Sequence, residues 1–477
     1  MKLNDKQNTK IVATVGPASS DREILKQLIL AGVDVFRLNF SHGNHEQKGE
    51  IIKTVLELNK ELKVHTGILA DLQGPKIRIG EMENGGIDIE EGDVLTFVNQ
   101  KCVGTKEKIY MSYEDFPKDV NQGEVILVDD GTLQFEVLST DKISTVKLKT
   151  LYSGTLKSNK GVNLPDTEVS LPCLTKKDLK DLEYVLTQPV NWIALSFVRS
   201  AEDVIELRNI LDKNNSLMKI IAKIEKPEAV MNIDKIIKHS NGIMIARGDL
   251  GVEVPMEKLP NIQKSIVKKC IQKSKPVIVA TQMMDSMINN PSPTRAEITD
   301  VANAVLDGTD AVMLSGETAT GKYPIQVVQA MNKIILEAEK NYELHAKRPK
   351  PEKSSRSFTS DVICFNAAKT ANDIGAKALI GMTISGYTAF RLSSYRPNCK
   401  IYIFSEKRLI LSTLNLVWGV RCYYYNKFTT TDDTVTDVIE ILKMRKRVKK
   451  GDFIVNTGTM PLQDRGKTNM LKVTMID

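Results

Sequence analysis

Charged side chains follow several short apolar runs of this chain, and their chemistry predicts a metal ion with an anionic partner. Glu225 directly follows one such run, and Asp249 comes shortly after the next. Two carboxylates with open positions around them suit a hard divalent cation, Mg²⁺ or Mn²⁺, that also binds oxygen atoms of a substrate. Lys223, two residues before Glu225, is expected to point near the same ion.

Cations and backbone amides near these carboxylates predict the chemistry of the ligand. Arg37 and Arg78 provide planar cations that match phosphate. The amides of Gly248 and Asp249, at a predicted helix start, can receive a carboxylate or a phosphate. We therefore predict a phosphorylated carboxylate as ligand. No Cys–His or Ser–His–Asp arrangement is indicated, so catalysis by positioning and charge stabilisation, as in phosphoryl transfer, fits better than covalent catalysis.

The elements that must position these residues are parallel strands covered by helices. Short β-rich apolar runs alternate with amphipathic stretches, which is typical of such folds. Eight runs are predicted strands: 10–15, 33–38, 67–71, 192–196, 219–224, 242–246, 276–281 and 310–314. Helical patterns follow nearly all of them, for example at 21–31, 44–60, 175–186, 201–211, 256–274 and 323–344. Eight such units favour a (β/α)8 barrel over an open sheet.

Six of these strands end in charged or hydroxyl groups. Each motif alone also has a structural explanation, because a Lys-x-Glu is usually a surface pair and a Gly-Asp-x-Gly usually a turn. Together they indicate function, since the carboxyl ends of barrel strands share one face and unpaired charges there need a ligand or counter-ion.

The remaining segments predict two further domains. Residues 74–169 carry hairpin-spaced short strands and turn signals, which predict an all-β insertion, a β-barrel lid at the active face. The (β/α)8 barrel would then comprise residues 1–73 and 170–345. Residues 346–357 have linker composition, and 358–477 again alternate helices with strands at 378–382, 400–404, 453–455 and 471–475, which predicts a C-terminal α/β domain.

Composition excludes several classes of protein. The chain has 477 residues, 42% of them hydrophobic and 26% charged, so several globular domains are expected. A net charge of +7 is weak over this length and predicts no nucleic-acid partner. The six cysteines are scattered without metal-ligand spacing, which predicts free thiols in a reducing cytosol. A polar N-terminus and the lack of a long apolar run predict a cytoplasmic protein without a membrane partner.

One apparent nucleotide motif is rejected. The run GETATGKY at 316–323 nearly matches a P-loop, but Tyr323 stands where a Ser or Thr would hold Mg²⁺. Of the five histidines, only His42 lies beside the predicted site, close to Asn39 and Ser41.

Over nearly its whole length the sequence resembles the pyruvate kinase family. The motifs that carry this resemblance are KIVATVGPAS at 10–19, FRLNFSHG at 36–43, GVNLP at 161–165, IAKIEKPEAV at 221–230, MIARGDLGVEVP at 244–255, ATQMMDSM at 280–287, the run from 293 to 324, and TISGYTA at 383–389. The resemblance implies a barrel with an inserted domain, a C-terminal domain and a homotetramer. It implies transfer of the phosphoryl group of phosphoenolpyruvate to ADP, followed by protonation of the enolate, to give pyruvate and ATP in the last step of glycolysis.

The resemblance also implies roles for the residues that bind phosphoenolpyruvate. Glu225 and Asp249 would hold the divalent metal, and Lys223 would stabilise the transferring phosphoryl group and the enolate. Arg37 would bind the substrate phosphate, and the amides of Gly248 and Asp249 its carboxylate.

Further roles concern proton delivery and the nucleotide. Thr281 would support the proton-delivering side of the substrate. Arg78 and Lys160 would face the nucleotide phosphates beneath the inserted domain, and His42 is assigned to the same site.

The monovalent-cation site of the family maps to Asn39, Ser41, Asp71 and the carbonyl of Leu72. Potassium-dependent members carry Thr at the Leu72 position and Glu at the Lys76 position. The run DLQGPK at 71–76 resembles the potassium-independent branch instead. The Lys76 ammonium would supply the positive charge of the ion, so K⁺ is predicted to be dispensable.

A loop in the C-terminal domain resembles the effector site of the family. Its phosphate-binding residues would be Thr383, Ser385, Gly386 and Thr388, ahead of a predicted helix, although an ordinary turn explains the motif equally well. A second loop, at 457–469, lacks the pattern of fructose-bisphosphate-activated members, so a sugar monophosphate or AMP is the expected effector.

Two other functions were weighed. A divalent-metal lyase or aldolase acting through a pyruvate enolate would share the carboxylate pair, but it would not use the inserted domain, Arg78 or Lys160. A non-catalytic metabolite sensor would be expected to have lost one of four residues, and the chain keeps all of them: Lys223, Glu225, Asp249 and Thr281.

Overall fold

The computed structural model describes residues 6–340, 349–427, 430–460 and 467–477. The chain begins with three parallel strands and two helices: β1 (Lys10–Val15), α1 (Arg22–Ala31), β2 (Val35–Asn39), α2 (His45–Leu62) and β3 (Gly67–Asp71). Both helices start at side-chain caps, since Asp21 accepts amide hydrogen bonds for α1 and Asn44 forms a capping box with Gln47 for α2.

The next segment is an insertion rich in short strands. Its elements are β4 (Gly86–Ile89), β5 (Val94–Val98), β6 (Ile109–Tyr110), α3 (Phe116–Asp119), β7 (Val125–Val128), β8 (Leu133–Thr140), β9 (Thr145–Thr150), β10 (Gly154–Lys157) and β11 (Val162–Asn163). Six of the strands form one sheet in the order β11-β7-β8-β9-β5-β6, and β4 pairs with β10.

Residues 77–80 join the two outer strands of that six-stranded sheet. On one side the Val162 amide donates to the Ile77 carbonyl (3.0 Å), and on the other the Gly80 amide donates to the Tyr110 carbonyl (2.9 Å). Because one extended segment bonds to both edges, the sheet curls into a ring around its own apolar core. Where the chain returns to the barrel, the Arg199 guanidinium donates to the carbonyls of Val169 and Leu171.

The chain then resumes the alternation of strands and helices. The strands are β12 (Trp192–Leu195), β13 (Lys219–Ile224), β14 (Gly242–Ala246), β15 (Val277–Ala280) and β16 (Ala311–Leu314). The helices are α4 (Lys176–Leu186), α5 (Ala201–Lys213), α6 (Pro227–Met231), α7 (Ile233–His239), α8 (Arg247–Glu253), α9 (Leu259–Gln272), α10 (Arg295–Leu306), α11 (Gly316–Ala319) and α12 (Pro324–Lys340). The predicted helix at 256–274 divides into a 3₁₀ turn, Met256–Lys258, and α9.

All eight predicted strands close into one parallel barrel, in the order β1-β16-β15-β14-β13-β12-β3-β2. The predicted (β/α)8 fold, with an all-β insertion and a C-terminal α/β domain, is therefore confirmed. Alternate residues of each strand point in opposite directions: Val12 and Val35 fill the barrel interior, whereas Ile11 and Phe36 pack beneath the helices. This double burial explains why the strands are apolar throughout.

The C-terminal domain is a five-stranded sheet with helices: α13 (Phe358–Asp373), β17 (Ala378–Met382), α14 (Tyr387–Ser394), β18 (Lys400–Ser405), α15 (Arg408–Leu414), β19 (Val420–Tyr424), α16 (Thr431–Met444), β20 (Phe453–Gly458) and β21 (Met470–Met475). The order is β19-β18-β17-β20-β21, with only β21 antiparallel. β19 was not predicted, because Arg421 interrupts its apolar pattern. Residues 341–344 of the predicted helix at 323–344, 346–348 of the predicted linker and 461–466 of the second effector loop lie outside the described residues.

The amino-terminal end of the barrel rests on this domain through buried ion pairs. Arg421 contacts Asp34 (3.0 Å), which also faces Lys10 (3.4 Å). Arg396 contacts Asp310 (3.1 Å). Each of these charges is matched by the protein itself, so this end of the barrel is electrostatically complete.

Two broader expectations concern thiols and membranes. All six cysteines are free thiols. None of the described helices combines the length and apolar character needed to cross a bilayer.

Candidate active site

The interior of the barrel changes from apolar to charged at the carboxyl ends of its strands. Interior residues lower in the barrel include Val12, Val35, Leu69, Ala194 and Ile221. Because side chains on one face recur at every second position, the next layer holds Thr14, Arg37, Asp71, Ser196 and Lys223. This layer contains Arg37 and Lys223, two of the residues from which the sequence predicted phosphate and metal chemistry.

Arg37 is held at the ends of β2 and β3. Its Nε lies 2.6 Å from Asp71 Oδ2, and its Nη1 donates to Thr14 Oγ1 at 2.9 Å. Asp71 is only 1% exposed. Burial would raise the pKa of Asp71, but Lys223 and Arg37 outweigh it and lower that pKa. The guanidinium is thus fixed in direction, with part of its donor edge left for a ligand.

Lys223 is the central cation of the site. Its Nζ lies 2.9 Å from Glu225 Oε1 and 3.4 Å from Asp71 Oδ1, and it donates to Ser196 Oγ at 2.7 Å. Burial alone would lower the pKa of Lys223, but Asp71 and Glu225 raise it above its ordinary value. The ammonium therefore stays charged inside the barrel.

Glu225 and Asp249 are placed for a divalent cation. Glu225 is 1% exposed, and its Oε2 accepts the Phe197 amide at 2.6 Å. Burial, with the nearby negative charge of Asp249, raises the pKa of Glu225 despite Lys223. Two adjacent carboxylates, one buried and one partly exposed, fit a hard cation that would relieve their repulsion. No group of three or more potential ligand side chains occurs among the described residues, so substrate and water would complete the coordination shell.

Thr281 and Gly248 are in direct contact. The Gly248 amide, predicted to receive the substrate carboxylate, donates instead to Thr281 Oγ1 at 2.6 Å. Thr281 follows β15 with a left-handed φ of 69°, which turns its hydroxyl toward α8. Arg247 holds this conformation by donating to the Thr281 carbonyl (2.9 Å) while pairing with Asp300 (2.7 Å). A carboxylate would therefore have to displace the Thr281 hydroxyl from the Gly248 amide.

The residues assigned to the nucleotide lie on both sides of the cleft. Arg78 and Gly161 form a backbone bridge, which brings Arg78 close to Lys160. Arg78 Nη1 donates to the Asn159 carbonyl at 2.9 Å, and Lys160 Nζ pairs with Asp129 at 2.8 Å. On the barrel side, burial and then the cations around it, Arg78 first among them, lower the pKa of His42. This side of the site is strongly positive.

The monovalent-cation residues are partly engaged with one another. Asn39 Oδ1 accepts the Ser41 amide at 3.0 Å, and the Leu72 carbonyl accepts the Ser196 hydroxyl at 2.8 Å. Lys76 was predicted to place its charge here. Its ammonium lies 3.6 Å from Asp249 Oδ1. Replacement of K⁺ by Lys76 stays a prediction.

The predicted effector loop is a compact turn between β17 and α14. Thr383 Oγ1 accepts the Gly386 amide (2.9 Å), Ser385 Oγ accepts the Tyr387 amide (3.4 Å), and Gly386 has a left-handed φ of 88°. The buried Thr388 hydroxyl bonds to Thr468 Oγ1 at 2.9 Å, which brings the two predicted effector loops together.

Sequence reasoning missed the groups that orient the site. Ser196 ends a predicted strand, so the signal used for the other residues would have found it. Phe197 presents its amide to Glu225 from a left-handed backbone, with φ of 55°, and no sequence pattern marks such a residue. Thr14 lay in a noted motif but was given no role.

Comparisons with known proteins agree over nearly the whole chain. The family model "Pyruvate kinase, barrel domain" matches residues 6–328, and "Pyruvate kinase, alpha/beta domain" matches residues 361–474. A pyruvate kinase of Geobacillus stearothermophilus is 44% identical over 99% of this chain and 81% of its own length. One of Clostridium perfringens is 42% identical over 98% of this chain and 100% of its own length.

A solved structure supports the same conclusion. The crystal structure of a pyruvate kinase from Cryptosporidium parvum superposes with a TM-score of 0.93 and 37% identity, covering 99% of this chain and 96% of the other. None of these relatives supports the lyase, aldolase or sensor alternatives. Since the matches include both the barrel and the C-terminal domain, this chain belongs to the pyruvate kinase family.

Proposed function

We propose that the charged layer at the carboxyl ends of the barrel strands is where this enzyme carries out the reaction of its family. The enzyme transfers the phosphoryl group of phosphoenolpyruvate to ADP and yields pyruvate and ATP. The observation that carries the location is the Lys223 ammonium, 2.9 Å from Glu225 and 3.4 Å from Asp71 inside the barrel. Such a fixed, dehydrated cation stabilises charge that develops during phosphoryl transfer.

Glu225 and Asp249 would hold the divalent metal, Mg²⁺ or Mn²⁺. When bound, the metal neutralises negative charge on substrate oxygens. The Phe197 amide fixes the orientation of the Glu225 carboxylate. Removal of the metal with EDTA is expected to abolish turnover, and a titration with each cation would decide which supports the higher rate.

Arg37 and Lys223 would act on the phosphoryl group from opposite sides of Asp71. Arg37 orients the phosphate of phosphoenolpyruvate, and Lys223 stabilises the group while its bond to the enol oxygen breaks and a bond to an ADP oxygen forms. The enolate left behind then accepts a proton on carbon. We assign Thr281 to the proton-delivering side of the substrate. The amides of Gly248 and Asp249 would donate hydrogen bonds to the substrate carboxylate once the Thr281 hydroxyl has moved.

The insertion would form the other wall of the nucleotide site. We propose residues 74–169 as a lid that brings Arg78 and Lys160 onto the ADP phosphates, with His42 on the barrel side. The proximity of these cations supports this assignment. For the other units we propose a barrel at 1–73 and 170–345, a linker at 346–357 and a C-terminal domain at 358–477.

We further propose that turnover does not require K⁺. The Lys76 ammonium beside Asp249 adds a positive charge to the substrate site from the metal side, which supports this proposal. Pyruvate formation in potassium-free buffer with Mg²⁺ is expected to be unchanged by KCl. A Lys76→Glu/Leu72→Thr variant is expected to become K⁺-activated. If the unmodified enzyme is active only with KCl, the proposed kinase reaction stands but this account of Lys76 is wrong.

The C-terminal loops would bind a phosphorylated effector, a sugar monophosphate or AMP, in a homotetramer. The contact between Thr388 and Thr468 supports a shared site for the two loops. Titrating each compound into the assay at subsaturating phosphoenolpyruvate, with light scattering to measure the oligomer, tests both assignments.

A further inference from the structure

One buried cation near the active site takes no part in the chemistry described above. Lys48 lies on the inner face of α2, in register with the buried residues Ile51, Ile52 and Val55. It is 7% exposed. Among the residues that the structure describes, none forms a hydrogen bond or ion pair with its ammonium. Its stem is buried, but its ammonium nitrogen retains access to solvent. A lysine so placed loses part of its hydration without gaining a partner, and the position is therefore costly.

The surroundings of Lys48 increase this cost. The residue stands in the first turn after the cap at Asn44, where the helix macrodipole repels cations. Burial, followed by the positive charges of Arg37 and Lys177, lowers the pKa of Lys48. Lys177 adds to the repulsion, and its own ammonium is bound to Asp181 (2.6 Å) and to the Phe40 carbonyl (2.6 Å). No carboxylate of the described residues pairs with Lys48, so an anion from outside the chain would balance its charge.

The ammonium lies beneath the turn that carries His42. A Cβ built on Gly43 would be 3.7 Å from Lys48 Nζ. The turn therefore covers Lys48 on one side, and the positive charges of Arg78, Lys48 and Arg37 act together on His42. A helix N-terminus with converging cations is a site for phosphate.

We propose that Lys48 is a further phosphate-binding residue of this kinase, and that its ammonium contacts the phosphate chain of the nucleoside diphosphate. The proposal rests on the function proposed above. The nucleotide is favoured over phosphoenolpyruvate because the positive charges of Lys48 and Arg78 act together on His42, whereas the centre proposed for phosphoenolpyruvate is formed by Asp71 and Lys223. Arg37 is ion-paired toward that centre, so Lys48 would extend the cationic surface in the opposite direction.

The test compares Lys48→Met, Lys48→Arg and a matched control, Lys53→Met, which removes an exposed lysine from the same helix. Calorimetric binding of ADP in the absence of phosphoenolpyruvate measures affinity without turnover. For Lys48→Met we expect the Kd and KM for ADP to rise about tenfold, as for loss of one charge-assisted hydrogen bond. The KM for phosphoenolpyruvate and the kcat at saturation should change by less than about twofold. Lys48→Arg should retain much of the affinity, and Lys53→Met should match the unmodified enzyme.

A second readout separates binding from packing. Because the unliganded protein bears the cost of an unpaired cation, Lys48→Met is expected to raise its Tm by about 2 °C or more. If Lys48 were needed only for packing, its replacement would lower the Tm. Unchanged ADP affinity in Lys48→Met, or an increase in the KM for phosphoenolpyruvate alone, would overturn the proposal. Lys48→Gln provides the same comparison if the Met variant does not fold. Lack of turnover by the unmodified enzyme would instead contradict the proposed function.

Discussion

The two ends of the barrel both contain buried charge, but the charges are neutralised in different ways. At the amino-terminal end, Asp34 lies between Lys10 and Arg421, and Asp310 pairs with Arg396. Two of these cations come from the C-terminal domain, so charges of that domain neutralise buried charges of the barrel. At the carboxyl end, Asp249 remains partly exposed and Lys48 has no partner among the described residues.

This difference distinguishes ion pairs that stabilise the fold from charged residues that are available to bind substrates. Inside one barrel, burial makes either kind costly unless it is compensated. At the amino-terminal end the compensation is permanent. At the other end it depends on a metal ion and phosphorylated substrates, so substitutions at the two ends should affect different measurements.

The largest effect is expected at the carboxyl end. Replacing Lys223 by Met removes the ammonium between Asp71 and Glu225, and we expect kcat to fall by about 10³-fold, the range for loss of a preorganised charge-stabilising group. Stopped assays of pyruvate formation measure this, and circular dichroism shows whether the variant is folded. Turnover equal to that of the unmodified enzyme would remove Lys223 from the chemistry.

A matching substitution at the amino-terminal end should affect folding instead. Arg396→Met leaves Asp310 buried without its cation, and we expect unfolding free energy to fall by about 3 kcal/mol. The kcat per folded molecule should be unchanged. Arg22→Met is the control, because its pair with Glu61 is exposed and screened by solvent, so its loss should change stability little. Equal losses in the two variants, measured by urea unfolding, would contradict the comparison.

A smaller effect concerns pH at the same end. His65 lies beside Arg421 and Arg445 between the barrel and the C-terminal domain, and burial with the charges of Arg408 and Arg445 lowers its pKa from 6.5 to about 4. The unfolded chain therefore binds a proton more readily between these values. This contribution to stability is complete above the unfolded pKa and is lost as pH falls.

For the unmodified protein we expect His65 to account for at most about 2 kcal/mol of stability lost between pH 7.5 and pH 5. His65→Gln should lose correspondingly less over the same interval, with kcat at pH 7.5 unaffected. Urea midpoints at both pH values provide the measurement. Parallel pH profiles for the two proteins would show that His65 does not titrate between them.

Much of the barrel was predictable from sequence because its strands are buried on both faces and contain few polar residues until their carboxyl ends. The same regularity located Arg37, Asp71, Lys223 and Glu225, since a charge at the end of an apolar run stands out. The prediction failed where contacts between residues far apart in the sequence determine the secondary structure. β19 was missed because Arg421 is stabilised by Asp34, which lies far away in the sequence.

The details of the site depend on backbone conformation, which sequence patterns do not record. The bond from the Gly248 amide to Thr281 follows from the left-handed φ of Thr281, and the orientation of Glu225 from that of Phe197. Likewise, the position of Lys76 depends on the course of the loop after β3. Such conformations persist because surrounding packing enforces them.

The segment 77–80, which joins the two edges of the inserted sheet, also carries Arg78. The segment that closes the inserted sheet and the guanidinium proposed to bind the nucleotide are thus parts of one short stretch of chain. Local opening of the insertion along residues 77–80 would therefore also displace Arg78. Nucleotide binding and protection of the Ile79 and Gly80 amides against hydrogen exchange should therefore rise and fall together.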